Sequence, residues 1–211
     1  FLFELIIKYP MIKKLLCFVI FIPYFFISNC FSQNMLDLST WTVGNGSVSG
    51  FTANGTALEN RRGFFENPWN EDAVIWQALP DSNSNQDGGW NSSYKAIDNQ
   101  ESYRLTVWIK KTNSNHGTTF FGTASHSGGV NQLLNLSNTV NNNPYFWSGD
   151  LPQLDRWYLL VGYIKHSGST DTVDEGAIYD GITGEQVEAV VRDFRFSTSA
   201  TNLRHRAYLY Y

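Results

Sequence analysis

Cysteine is nearly missing from this 211-residue chain, which holds only Cys17 and Cys30. Beyond residue 30 no disulfide, thiolate metal site or cysteine nucleophile is therefore expected. Helix periodicity is missing as well: past residue 33 no segment sustains apolar spacing of three and four residues over three turns. Basic charge is short, with 15 Lys and Arg against 19 Asp and Glu. The first 33 residues hold Lys8, Lys13, Lys14 and Glu4, which leaves 12 basic against 18 acidic side chains, net −6. That balance excludes the broad basic footprint of a nucleic-acid binder and leaves room for a local basic patch. Catalytic signatures are missing too: no zinc-protease helix motif, nucleophile elbow, phosphate loop or paired-cysteine motif occurs. His116, His126, His166 and His205 are scattered without ligand spacing. Carboxylates are plentiful, and a glycosidase pair stays open because such pairs meet only in space.

What is present begins with a secretory pattern. Met11 precedes the Lys13–Lys14 pair, then the apolar run "LLCFVIFIPYFFIS" (15–28) and the small-residue exit "SNCFSQN" (28–34). The run is too short and too abruptly ended for a comfortable membrane span. The expectation is a signal peptide over 11–33, cut near Ser32 or Gln33, with residues 1–10 as translated upstream sequence. An uncleaved anchor and a lipoprotein acylated at Cys30 are the weaker alternatives. The remaining 178 residues suit one domain with one core. The closing "HRAYLYY" reads as a strand interior, so the 36–211 domain is expected to be cut short at its end.

Strand signals recur between clusters of Gly, Asn, Asp and Ser. "TWTVG" (40–44), "DAVIWQAL" (72–79), "SYRLTVWIKK" (102–111), "TTFFGT" (118–123), "RDFRFS" and "RHRAYLYY" are predicted strands. "RWYLLVGYIKH" (156–166) is apolar on both faces and predicts a central strand. "GAIYD" and "EQVEAVV" flank "GITG", a hairpin signal. Many short strands with loop-rich joins predict an all-β, antiparallel, jelly-roll-like sandwich.

The aromatic side chains carry the functional reading. Seven Trp and eleven Tyr exceed what a core of this size needs. Trp69, Trp90 and Trp147 lie in or near loop-like sequence, where a ring either anchors the loop or offers a stacking platform to a sugar. In "NNNPYFWSGDLP" (141–152), Phe146 is expected inward, with Tyr145 and Trp147 at the rim. On 102–111, Arg104, Trp108 and Lys110 share one face; on the last segment Arg204, Arg206, Tyr208 and Tyr210 share another. If both strands lay in one sheet, they would line a cleft for an acidic or sulfated glycan. Otherwise Trp108 covers a second core layer with the charges at its rim. In "DSNSNQDGGW" (81–90), Asp81, Asn83, Asn85 and Asp87 alternate like a calcium loop, but Gln86 and Ser92 stand where Gly and Glu are needed. A solvated turn is the plainer reading. No cofactor is specified, and a structural calcium ion is an open expectation with no assigned ligands.

"DGGWN…IDNQESYRLTVWIKK", "NPYFWSGDLPQLDRWYLLVGYIKH", "IYDGITG" and "HRAYLYY" together resemble a β-sandwich domain of marine bacterial secreted proteins and phage tail proteins, similar to carbohydrate-binding modules. The resemblance spans roughly residues 40–211. It implies a non-catalytic glycan-binding or adhesion module of a larger secreted or cell-surface protein, whose partner is a polysaccharide or surface glycan. It supplies no catalytic residues. The candidate ligand-binding set is Trp69, Trp90, Arg104, Trp108, Tyr145, Trp147, Arg206 and Tyr208. The alternatives are a structural or adhesive surface or tail-fibre domain without a sugar site, and a truncated sandwich-fold polysaccharide lyase or hydrolase.

Overall fold

The computed structural model describes residues 2–4 and 34–211, apart from 82, 84, 115, 189 and 190. The segment 11–33, expected to be a signal peptide, and with it Cys30, lie outside the described residues. In chain order the strands are β1 (Leu2–Glu4), β2 (Gly44–Asn45), β3 (Phe51–Ala53), β4 (Asn60–Glu66), β5 (Asp72–Ala78) and β6 (Gln86–Ser92). Then come β7 (Lys95–Ala96), β8 (Tyr103–Lys110), β9 (Thr118–Ala124), β10 (His126–Ser127), β11 (Val130–Asn131) and β12 (Leu133–Asn135). The last six are β13 (Tyr145–Gly149), β14 (Trp157–Lys165), β15 (Ala177–Asp180), β16 (Gln186–Glu188), β17 (Phe194–Phe196) and β18 (Asn202–Tyr210).

Two sheets pack as a sandwich. The ten-stranded sheet runs β12-β17-β14-β8-β1-β5-β4-β2, with the β15–β16 hairpin attached to β14. The six-stranded sheet runs β13-β9-β18-β6-β3, with β7 on β18, and β10–β11 is a separate ribbon. Among the described residues, pairing is antiparallel except between β14 and β17. The apolar β14 is the central strand its composition predicts: β8, β15 and β17 all pair with it, and only Leu159 and Tyr163 are not buried. On β8, strict alternation sends Leu105, Val107 and Ile109 into the core. One apolar cluster joins the sheets, with Trp76, Val107, Ile109, Leu160 and Ile164 from one and Trp90, Phe121, Phe146, Ala207 and Leu209 from the other.

The structure corrects the predicted element at 40–44. Leu38–Thr40 is a 3-10 turn whose Asp37 carboxylate accepts the Ser39 N–H at 3.0 Å. Trp41 then drops into the core against Phe51, Trp76 and Trp90, with ring centroids 5.3, 5.5 and 5.9 Å away.

"NPYFWSG" is a strand rather than a loop, and its irregularity explains the three aromatics. Tyr145 pairs with Gly122 and Trp147 with Phe121, so a bulge falls at Phe146. Plain alternation would send Trp147 outward. The extra residue lets Phe146 (1% exposed) and Trp147 (5% exposed) both turn inward while Tyr145 stays out. The Phe146 ring sits on the backbone of Gly162 in the opposite sheet, where a Cβ would lie 2.3 Å from its Cδ1. The bulge also frees the Phe146 carbonyl, which accepts the Arg192 N–H at 2.7 Å.

Candidate binding face

β18 places the site. It is the middle strand of the six-stranded sheet, and its alternation sends Leu203, His205, Ala207 and Leu209 into the core while Arg204, Arg206 and Tyr208 take the outer face, where the two Arg are half-buried and Tyr208 is buried among its neighbours at 9% exposure. Register sets their neighbours. Arg206 lies between Asn91 of β6 and Gly122 of β9, with Tyr145 beyond Gly122. Tyr208 lies between Gly89 and Phe120.

Gly122 makes the arrangement work. A Cβ there would stand 2.6 Å from Tyr145 Cδ1, so the ring of Tyr145 lies across the bare backbone. It thereby reaches Arg206, whose guanidinium carbon is 4.6 Å from its centroid. The Tyr145 and Tyr208 hydroxyls are hydrogen-bonded. Phe120 stacks on Tyr208 at 5.1 Å and approaches Tyr145 at 4.9 Å. One step along β18, Arg204 stands 5.1 Å over the ring of the exposed Tyr94.

The electrostatics are one-sided. Among the described residues neither Arg204 nor Arg206 has a carboxylate in ion-pair range. The Nε of each is buried without a hydrogen-bond partner. Burial pulls the Arg206 guanidinium below its ordinary value, and the Tyr145 and Tyr208 rings oppose that; guanidinium remains cationic throughout the physiological range. Burial, and then the bond to Tyr145, pushes the Tyr208 hydroxyl upward, which keeps it protonated. The face thus offers unpaired cationic forks, hydroxyls and ring surfaces to an anion with an apolar side.

The other predicted residues go elsewhere. Trp90 is fully buried, stacked on His205 at 5.0 Å, and is a core ring rather than a loop platform. Trp147 is buried by the bulge and does not reach the rim. Arg104 and Trp108 belong to β8, in the ten-stranded sheet, so they share no cleft with Arg206 and Tyr208. Trp108 instead joins a small outer cluster with Ile75, Trp157, Phe65 and Ala73. Trp69, 42% exposed, meets its edge at 5.6 Å. Lys110 sits 5.1 Å over Trp157 at the rim of that cluster. Tyr145, Arg206 and Tyr208 are therefore brought together, and Trp69 with Trp108 form a separate pair.

Phe120, Tyr94 and Asn91 were not singled out from sequence. The isolated glycine in "TTFFGT" was the available signal, since glycine inside a strand marks a close approach. Two concavities lie apart from this face. One of about 130 Å³ is bordered by Asp37, Thr40, Ser49 and Lys95, and one of about 340 Å³ by Asn135, Ser137, Asp174 and Arg192. Neither borders Tyr145, Arg206 or Tyr208. Comparison of the chain with models of known protein families, with curated proteins and with solved structures returns no match.

Proposed function

We propose that this chain is a non-catalytic binding module for an acidic or sulfated polysaccharide, carried by an exported protein, and that it grips its ligand on the outer face of the six-stranded sheet. The observation that carries this reading is Arg206: a half-buried guanidinium with no carboxylate, held under the Tyr145 ring beside Tyr208 and Phe120. Arg forks hold carboxylate and sulfate oxygens in pairs, and the rings cover the C–H faces of sugars. A proton-transfer role draws less support. Burial raises Tyr208, whereas a tyrosine acting as a base needs a lowered pKa. His205 points into the core and is held down to about 3 by burial.

The test is binding of the whole chain to sulfated, uronic-acid and neutral polysaccharides at several salt concentrations. Salt-sensitive binding to the anionic polymers is expected, with Arg206→Ala weakening it roughly tenfold or more and Trp69→Ala leaving it unchanged. Equal affinity for neutral polymers, or an indifferent Arg206→Ala, would sink the proposal.

A second reading, a structural or adhesive domain with no sugar site, draws on burial of Trp41, Trp76, Trp90, Trp147 and Trp157. It predicts no binding to any of these polymers.

A further inference from the structure

Glu59, Asp81 and Asp87 converge at one end of the sandwich. One carboxylate oxygen of each lies within 4.8 Å of the others. Glu59 immediately precedes β4 and is 4% exposed; Asp87, on β6, is fully buried; Asp81 is exposed on the loop between β5 and β6. Part of this oxygen set is already engaged. Glu59 Oε2 accepts the Thr56 N–H at 2.5 Å, Asp87 Oδ2 accepts the Tyr211 N–H at 2.6 Å, and Asp81 accepts both the backbone and side-chain N–H of Asn83.

Asp87 Oδ1 is different. It is buried and has no hydrogen-bond partner. Among the described residues none of the three carboxylates has an ion pair. A buried carboxylate beside two others and without a cation is strongly unfavourable, through desolvation and like-charge repulsion together. The Gln86 carbonyl oxygen lies beside Glu59, on one side of this set. Gly55, at φ +80°, leaves open the point where a Cβ would lie 2.3 Å from both Glu59 Oε2 and the Gln86 carbonyl oxygen.

We infer that Glu59, Asp81, Asp87 and the Gln86 carbonyl form a calcium site that clips the two sheets together. The donors are all hard oxygens, mixing carboxylate and carbonyl in an irregular set, which suits calcium better than the strict octahedron of magnesium. The placement explains what the ion does. Glu59 leads into the ten-stranded sheet, Asp87 belongs to the six-stranded one, and the Tyr211 N–H ties the end of β18 to the same carboxylate. In a fold whose described residues contain no cysteine, such a clip does the work a disulfide would do.

The experiment uses the whole chain, stripped with a chelator and titrated with calcium chloride, with thermal unfolding and calorimetric binding as readouts. At about a hundredfold excess over Kd the melting temperature should rise by roughly 5–10 °C. Magnesium chloride at the same concentration should give a clearly smaller rise. Asp81→Asn, at an exposed position, should lower calcium affinity at least tenfold, yet melt no lower than the native chain when calcium is absent, because one repelling charge is gone. Glu59→Gln should behave likewise. The inference is overturned if calcium fails to shift the native chain, if magnesium shifts it equally, or if Asp81→Asn keeps native affinity.

Discussion

Asn60 shows how much a single polar side chain can hold. It is fully buried, and its amide uses four hydrogen bonds. Oδ1 accepts Trp76 Nε1 at 2.8 Å and the Gly89 N–H at 2.9 Å; Nδ2 donates to the Asn54 and Thr56 carbonyls at 2.7 Å each. Trp76 and Gly89 belong to opposite sheets, so Asn60 is a polar rivet through an apolar core. Asn60→Leu keeps the volume and orphans all four partners. Urea unfolding should show a loss of about 4 kcal/mol, from several buried groups at roughly 1–3 kcal/mol each. His205 adds a pH term. Burial keeps it neutral down to about 3, against 6.5 for an ordinary histidine, despite a weaker opposing contact with the Thr106 backbone. Between those values the unfolded chain binds the extra proton, so stability falls as pH drops below 6.5, by up to about 1.4 kcal/mol per unit. The carboxyl of Asp193, raised by burial, acts in the opposite sense at the acid end of that window. Denaturant unfolding at pH 7 and pH 5 should therefore show a smaller loss in His205→Leu than in the native chain.

Among the elements, β13 and β14 meet most closely where Phe146 lies on Gly162. Gly162→Ala drives a methyl into the ring and should cost about 1–3 kcal/mol, as overpacking does. In Phe146→Ala the hole is already open, so adding Gly162→Ala should be nearly neutral; a double-mutant cycle reads that coupling directly. Strands such as β8, β14 and β18 were legible in the sequence because alternation or continuous apolarity runs uninterrupted through them. β13 and β6 were not. Asn and Pro before Tyr145, and the Gly88–Gly89 pair before Trp90, are turn signals that here belong to a bulge and to a strand crowded against its neighbours: a Cβ on Gly89 would lie 2.3 Å from the Ala207 carbonyl oxygen. The outward face of β18 was also legible residue by residue. Its side-chain contact with Tyr145 across Gly122 was not, because sheet order is a long-range property that period-two patterning leaves open. For the same reason Arg104 and Trp108 ended on the opposite sheet.

At the scale of the whole molecule, one apolar cluster spans both sheets, and Asn60, Phe146 and the Arg192–Phe146 backbone bond cross between them. Neither sheet buries its inner face without the other, so unfolding should be a single transition. Tryptophan fluorescence and far-ultraviolet circular dichroism are expected to give coincident denaturation curves; two separated midpoints would show that the sheets melt independently. The position of β18 has a further consequence, in time rather than in space. It pairs with β9 on one side and β6 on the other, and both precede it in the chain by scores of residues. During synthesis β9 and β6 must wait as open edges until β18 emerges, exposed to pairing with neighbouring chains. The strand that then closes the gap is the one that carries Arg204, Arg206 and Tyr208, so a nascent chain that has not finished folding does not yet bring these side chains beside Tyr145 and Phe120.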